Sequence, residues 1–510
     1  MKKAKICLVN DSFPPAIDGV ANAVVNYGTY ITKNHGEAVV VTPFYPDADD
    51  SVFPFEVVRY PSLDITKAVG YRAGLPFDAE VMGRLEREDF DLIHSHCPVT
   101  STMLSRTLRS RIDKPIVFTY HTKFDIDIAN AIRSRLIQEE AARILVQNIS
   151  ACDEVWTVSR GAGENLRKLG YEGDYLVMPN GVDFPRGRAD ESEVAEATAG
   201  YDLPGELPVF LFVGRMMWYK GIRIILDALK ILDEKGFGFR MVFIGGGNDK
   251  DEITAYCSSL GLDGKVLFTP PIRERARIRA WYCRADLFLF PSTFDTNGLV
   301  VREAAACGLG SLLVRGSCAA EDAVDGVSGV LIDENAESMA SALEALIGEG
   351  EAMRRIGEGA QRELYLSWED SVARAWERYG IVTEKYRSGE YDGRARDEKE
   401  IYHALGEVID RYNLVREYQR LLRENAVLNY AGIRTGIEEE VERMRALQAE
   451  DTVVAAMRLE DLRRRVNALR VQVMTGQQLL LADAQSLRAD LRRRLQSMME
   501  DIRRPNDRFL

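Results

Sequence analysis

The feature that most constrains this chain is a rhythm of short apolar, β-branched runs, each followed by an amphipathic stretch. The first series reads KICLV (5–9), AVVVTP (38–43), DLIHSH (91–96), PIVFTYH (115–121) and EVWTVS (154–159). A second starts at 207 with LPVFLFVG and continues through RMVFIGGG, KVLFT, DLFLFPS, GSLLV and GVLID. Buried runs of this kind alternating with helical segments indicate parallel sheets wrapped by helices. Two series predict two doubly wound α/β domains, over 1–182 and 209–366. The charged, small-residue stretch 183–208 reads as the linker between them. Open α/β sheets bind ligands outside the carboxyl ends of their strands, so two facing domains of this kind line one cleft.

Residues 397–510 differ in character. They hold 20 basic and 20 acidic side chains, 19 of the basic ones arginine, with one proline, Pro505. Leu462, Val466, Leu469 and Val473, then Leu480, Ala484, Leu487 and Leu491, follow the spacing of a helical apolar seam. The expectation over 391–510 is a long helical or coiled-coil extension, self-associating as a homo-oligomer through 462–502. Its LRRRV and LRRRL segments offer anionic lipid as the other partner.

Composition excludes several classes. The chain has 510 residues and a formal net charge of −13, and phosphate neutralisation needs clustered Lys and Arg, so no nucleic-acid partner is expected. Cys7, Cys97, Cys152, Cys257, Cys283, Cys307 and Cys318 show no CxxC and no repeated spacing, which reads as reduced thiols rather than a zinc site or disulfide framework. The apolar run before Asn10 is too short for a signal peptide, and no stretch approaches a membrane span. The expected location is cytoplasmic, with any membrane contact peripheral, on the inner face of the plasma membrane.

The polar residues worth weighing sit just after predicted strands. In SFPPAIDGVANAVV (12–25), a helix opens at about Gly19, where glycine lets a ligand approach the backbone and the helix N-terminus favours anions; a plain strand-to-helix turn explains the same residues. His94 and His96 end one strand and His121 the next. No third metal ligand of suitable spacing accompanies them, whereas a neutral histidine there suits donation to a hydroxyl or phosphate oxygen. In FVGRMMWYKG (212–221), Arg215 and Lys220 either clamp a diphosphate or decorate a solvated turn. FDTNGLVVREAAACG (294–308) places Asp295 in a loop and Glu303 in a helix. Paired carboxylates serve as acid and base, as metal ligands, or as hydrogen-bond clamps on one polar ligand.

GRMMWYKG, MPNGVDF, DLFLFPSTFDTNGLVVREAAACG and TYHTKFD together resemble the family-4 retaining glycosyltransferases of the GT-B fold, nearest in pattern to glycolipid-forming bacterial members. The resemblance runs from about residue 4 to 387 and leaves the tail outside. It implies two Rossmann-like domains facing a cleft, with residues 367–390 forming a helix that crosses back to the first domain and Trp368 and Trp376 packing it. It implies hexose transfer from a nucleotide-diphosphate sugar, a UDP-sugar being favoured, with retention at the anomeric carbon and with neither metal nor cofactor. Arg215 and Lys220 would hold the diphosphate, Glu303 the ribose, and Asp295 the sugar hydroxyls. The backbone amides of Asn297, Gly298 and Leu299 would bind phosphate oxygens, Gly19 would face the diphosphate, and His121 would touch the transferred sugar. Asn180, in PNGVD, would lie near the cleft.

There are departures from that pattern. Asp295 replaces the family's first Glu, Pro270 and Pro271 replace a glycine-containing turn, and Gly310 stands where a proline is common. FDID (124–127) has metal-ligand spacing in the acceptor-side domain, but reads as an acidic helix N-terminus. For the acceptor, TYHTKFDIDIANAI resembles glycolipid-forming members, and Arg106, Arg109, Arg111, Arg133 and Arg135 would supply a basic face toward an anionic membrane; a solvated helix face explains the same charges. The competing readings are a sugar-nucleotide hydrolase or epimerase on the same fold, and a non-catalytic scaffold acting through the tail.

Overall fold

The computed structural model describes residues 3–16, 18–64, 72–75, 78–124 and 135–391. The strands, in chain order, are β1 (Lys5–Val9), β2 (Glu37–Pro43), β3 (Glu56–Tyr60), β4 (Ser62–Leu63), β5 (Ala73–Gly74), β6 (Leu92–Ser95), β7 (Ile116–Tyr120), β8 (Glu154–Thr157) and β9 (Leu176–Val177), followed in the second domain by β10 (Val209–Val213), β11 (Arg240–Ile244), β12 (Val266–Thr269), β13 (Leu287–Phe290), β14 (Ser311–Val314) and β15 (Val330–Ile332). The helices are α1 (Gly19–Asn34), α2 (Ala79–Arg87), α3 (Thr100–Ile112), α4 (Arg135–Ser150), α5 (Arg160–Lys168), α6 (Glu191–Ala197), α7 (Ile222–Glu234), α8 (Lys250–Ser259), α9 (Arg275–Arg284), α10 (Leu299–Ala306), α11 (Ala336–Leu346), α12 (Gly350–Glu363) and α13 (Trp368–Arg387).

Two sheets follow, in the orders β3-β2-β1-β6-β7-β8-β9 and β12-β11-β10-β13-β14-β15. Every pairing within them is parallel, so both are doubly wound. The strand order reverses between β1 and β6 in the first sheet and between β10 and β13 in the second. A crevice therefore opens beyond Val9 and Ser95, which are paired in register, and another beyond Val213 and Phe290. The runs quoted from the sequence are the central strands, apolar because helices cover both faces. The reading omitted β3 and β9, the two strands at the rims of the first sheet.

The first sheet has a core on each face, and one of them is completed from the far end of the described chain. Trp368, Val372, Ala375, Tyr379 and Val382 of α13 pack with Ile6, Leu8, Tyr27 and Ile31. Trp376 stacks on His35 at 5.3 Å. This helix packs on the first domain, and burying each side chain there of valine size or larger is worth about 1.5–3 kcal/mol.

The linker expectation needs correction. Within 183–208 the chain folds α6, which packs on α9 of the second domain. Asp190 and Glu193 form a capping box at its start, the Asp190 amide donating to Glu193 at 3.1 Å. Gly187 N donates to Ala306 O and Ala189 N to the Cys283 sulfur, so this stretch is part of the second domain. The chain passes between domains where Val182 pairs with Ser367. The helical extension, its 462–502 seam, Arg133 and the two aspartates of FDID lie outside the described residues.

Candidate active site

The site is assembled at the two strand-order reversals. Beyond β10, the turn carrying Arg215 and Lys220 closes on Gly221, whose φ of 75° lies in the left-handed region. A Cβ at 221 would approach Pro291 O to 2.5 Å, so glycine lets this turn lie against the end of β13. Lys220 is 7% exposed, and its ammonium reaches Asp295 Oδ1 at 2.6 Å. Ser292 Oγ donates to Asp295 Oδ2, also at 2.6 Å. The two residues expected on opposite parts of one ligand therefore hold each other in the free protein. Arg215 is exposed beside the Tyr219 ring.

Four residues past Asp295, α10 begins. Gly298 precedes it in the left-handed conformation, φ 56°, and a Cβ there would press on Ala319. Val301 N already donates to Gly298 O at 2.8 Å, which leaves Leu299 and Val300 as the amides a helix start presents to a ligand. Asn297 adds a side-chain amide whose Nδ2 and Oδ1 are both buried without a partner among the described residues. The sequence reading named only its backbone.

Glu303, on α10, is gripped from α9. Arg275 Nη2 reaches Oε1 at 2.6 Å, and Tyr282 donates its hydroxyl to Oε2 at 3.0 Å. Arg275 also forks onto Asp183, just past the domain crossing. Burial raises the Glu303 carboxyl above its ordinary value, with the Arg275 charge pulling the other way. Burial alone would lower Arg275, but the charges of Glu303 and Asp183 more than reverse that. Arg275 and Tyr282 were missed by the sequence reading, although their seven-residue spacing puts them on one helix face.

On the first domain, His121 follows β7 and is buried beside His96. Their rings stack at 5.3 Å and His96 Nδ1 lies 3.0 Å from His121 Nε2. Burial keeps both neutral, holding His121 down to about 3 and His96 well below its usual value. His94 corrects the expectation of ligand donation. Its two nitrogens meet Tyr379 Oη at 2.6 Å and Thr119 Oγ1 at 2.7 Å, so it anchors the crossing helix and neither nitrogen is left for a ligand or metal.

Gly19 opens α1 as expected, and a Cβ there would meet no described atom within 4 Å. Glycine is therefore not required there by neighbouring protein. The anion-binding reading of α1 is weakened, because Asp18 already accepts from Val20 N and Ala21 N. Asn180 is buried, with its Oδ1 unpartnered among the described residues.

The basic face toward a membrane is not built as expected. Arg106 and Arg109 are 7% and 3% exposed. Arg106 binds Asn148, Arg109 binds Ala151 O and Asp153, and Arg111 pairs with Glu86. Arg135 is outward-facing and paired with Glu139 at 3.2 Å. Among the described residues no helix is long and apolar enough to cross a membrane.

The domains meet through polar contacts at this site. Ser159 Oγ donates to Thr296 O at 2.5 Å and Thr296 Oγ1 to His121 O at 2.8 Å. Lys123 Nζ reaches Thr293 O at 3.3 Å.

Two doubly wound domains sharing a cleft lined by cations, a helix start and clamped carboxylates define a glycosyltransferase of the GT-B fold. The chain matches the family model for Glycosyltransferase Family 4 over residues 17–186 and that for Glycosyl transferases group 1 over residues 195–363. It belongs to the family-4 glycosyltransferases. It is 29% identical over 310 residues to a D-inositol 3-phosphate glycosyltransferase of Xylanimonas cellulosilytica, covering 58% of this chain and 73% of that one. It is 23% identical over 346 residues to an alpha-monoglucosyldiacylglycerol synthase of Acholeplasma laidlawii, covering 65% and 86%. The fold matches a crystal structure of Anabaena HepE in complex with UDP, with a TM-score of 0.60 at 18% identity, covering 74% of this chain and 100% of that one.

Proposed function

We propose that this glycosyltransferase moves a hexose from a nucleotide-diphosphate sugar, a UDP-sugar foremost, to a hydroxyl acceptor with retention of anomeric configuration. The observation that carries this reading is the buried Lys220 ammonium paired with Asp295, two residues before Asn297, whose side-chain amide has no partner among the described residues. Cleaving the bond between the anomeric carbon and the diphosphate oxygen builds negative charge on that oxygen. Lys220, Arg215 and the first amides of α10 are the groups suited to stabilise it. The acceptor hydroxyl then attacks from the leaving-group face, its oxygen bonding to the anomeric carbon while its proton passes to the departing phosphate oxygen. In this scheme Asp295 and Glu303 form no covalent bond to the sugar. Asp295 orients the sugar hydroxyls, and Glu303, fixed by Arg275 and Tyr282, takes the ribose hydroxyls.

A lipid or lipid-linked acceptor is the reading favoured for the hydroxyl, at a membrane surface. Its support is the similarity to monoglucosyldiacylglycerol synthases, since Arg106 and Arg109 are used inside the first domain. The test is a thermal-shift panel of UDP-, GDP- and ADP-sugars followed by turnover with diacylglycerol in vesicles and with a phosphorylated polyol. A UDP-sugar is expected to raise Tm by several degrees, because a ligand bound only by the native state stabilises it. No shift with any nucleotide sugar overturns the reading. Hydrolysis or epimerisation of labelled donor, in place of transfer, replaces it with a sugar-nucleotide-processing enzyme.

A further inference from the structure

The stacked histidines behind the site carry an inference about His96, which rests on the reading that His121 contacts the transferred sugar. A single hydrogen bond joins His96 Nδ1 to His121 Nε2 at 3.0 Å, so one nitrogen holds the proton and the other presents a lone pair. With both rings neutral, the choice fixes both tautomers. If His121 Nε2 carries the proton, His96 must be protonated at Nε2, and His121 Nδ1 is an acceptor. If His96 Nδ1 carries it, His96 Nε2 is a bare lone pair and His121 Nδ1 is an N–H donor.

The groups deeper in the domain separate these cases. His96 Nε2 is buried with no described partner, and so is the hydroxyl of Tyr27, whose ring lies edge-on at 5.3 Å. A hydroxyl brings one donor to this apolar surrounding. The two atoms are not hydrogen-bonded to each other, so a lone pair on His96 Nε2 leaves the Tyr27 hydroxyl as the one buried donor of this pair without an acceptor among the described residues. A proton on His96 Nε2 adds a second buried donor with no acceptor among the described residues, the costlier arrangement in a buried site. His94 offers no relief, since Tyr379 and Thr119 occupy both its nitrogens.

We infer that His96 is a positioning residue that locks His121 as an Nδ1–H donor, so that His121 gives a hydrogen bond to a sugar oxygen. Nε2 of His121 is taken by His96, which leaves Nδ1 as the nitrogen available to a ligand. The lock sets direction as well as place, because a ring free to exchange tautomers would present an acceptor to the same oxygen part of the time.

The direct test is nitrogen NMR on the full chain labelled at histidine, which has five such residues to assign. His121 is expected as the Nδ1–H tautomer in the wild type, and to move toward the Nε2–H form, the one a free imidazole side chain favours, in His96→Leu. With a UDP-sugar as donor, His96→Leu is expected to lower kcat by about tenfold with the donor KM within about twofold. His96→Asn, whose amide nitrogen replaces the Nδ1 donor, should restore most of that loss. An Nε2–H tautomer at His121 in the wild type overturns the inference. So does His96→Asn performing no better than His96→Leu when both melt as the wild type does. If no nucleotide sugar supports transfer, the reading of the site fails, while the NMR result still decides the tautomer.

Discussion

At the scale of single residues, the free protein pairs the groups that its donor must separate or share. Lys220 and Asp295 are largely buried, at 9% and 24% side-chain exposure, and removing one partner of a buried pair leaves the other uncompensated. Lys220→Ala is expected to lower turnover by about 10²–10³-fold, the scale of losing one preorganised charge on the leaving group, with the fold intact by circular dichroism. Asp295→Asn keeps the shape but gives up the charge, and is expected to cost about 2 kcal/mol of stability in urea unfolding, with a clear loss of turnover. Asp295→Glu keeps the charge and adds one methylene, so it should retain activity and shift donor choice; full activity in Asp295→Asn would remove any need for charge there. The positions of Lys220, Asp295 and Glu303 were legible because turns after strands and a helix start define where such side chains can point. Their partners were not. Arg275 is joined to Glu303 only by tertiary packing, 28 residues apart in the chain, whereas Ser292 lies three residues before Asp295 in the same motif, where nothing in the spacing marks its hydroxyl as the partner.

At the scale of elements, the interface between the domains is built into the start of a helix. Helix α5 satisfies Ala162 N with its own Ser159 Oγ at 3.0 Å. Its Arg160 N donates to Glu321 Oε2 at 2.7 Å, and its Gly161 N to the other oxygen of that carboxylate, from the second domain. Arg160 returns a bond to Glu321 O at 2.7 Å, and Ser159 reaches across to Thr296. One carboxylate thus caps a helix and joins the domains. Glu321→Ala is expected to cost about 1 kcal/mol, the usual value of a lost cap. It should speed amide hydrogen exchange at Arg160 and Gly161 roughly fivefold, with the second-domain core unchanged. Unchanged exchange at both amides would show that the cap contributes nothing. Elements of this size were read well where they are central. The apolar run at 209–213 could only be a strand buried on both faces, whereas β3 and β9 at the sheet rims carry mixed patterns that leave no such mark. Helix α6 was missed because its charged sequence looked like linker, although Asp190 and Glu193 carry the capping-box spacing that announces a helix.

At the scale of the whole molecule, the chain enters and leaves the second domain at one place, where Val182 pairs with Ser367, and then spends α13 completing the first domain's core. The middle of that helix is held by chemistry that depends on pH. Tyr379 meets His94, while His96 and His121 stack behind the cleft, and burial is the leading cause holding all three histidines below their usual value. A histidine depressed in the native state contributes stability that is present above its unfolded value of about 6.5 and is lost as pH falls toward its native value. For His121 that window runs from about 6.5 down to about 3. Each such group steepens the loss by up to about 1.4 kcal/mol per pH unit. His121, whose native value lies well below pH 5, removes about 2 kcal/mol between pH 7 and 5, and His94 and His96 act in the same direction. Glu303, Asp11 and Glu321 work in the opposite direction, since burial raises their carboxyls and the native state holds those protons longer than the unfolded chain does as pH rises; the ordinary carboxyl value of about 4, unlike that of histidine, lies below the range from pH 7 to 5. Urea unfolding at pH 7, 6 and 5 should therefore show stability falling progressively. His94→Gln, which keeps an amide donor and acceptor near Tyr379 and Thr119 but cannot be protonated, should make that fall shallower. A wild-type protein equally stable at pH 7 and 5 would mean that water or a structural opening reaches these rings before the fold is lost. The tight packing of Tyr27, Trp156 and Tyr379 around His94 argues for a marked dependence.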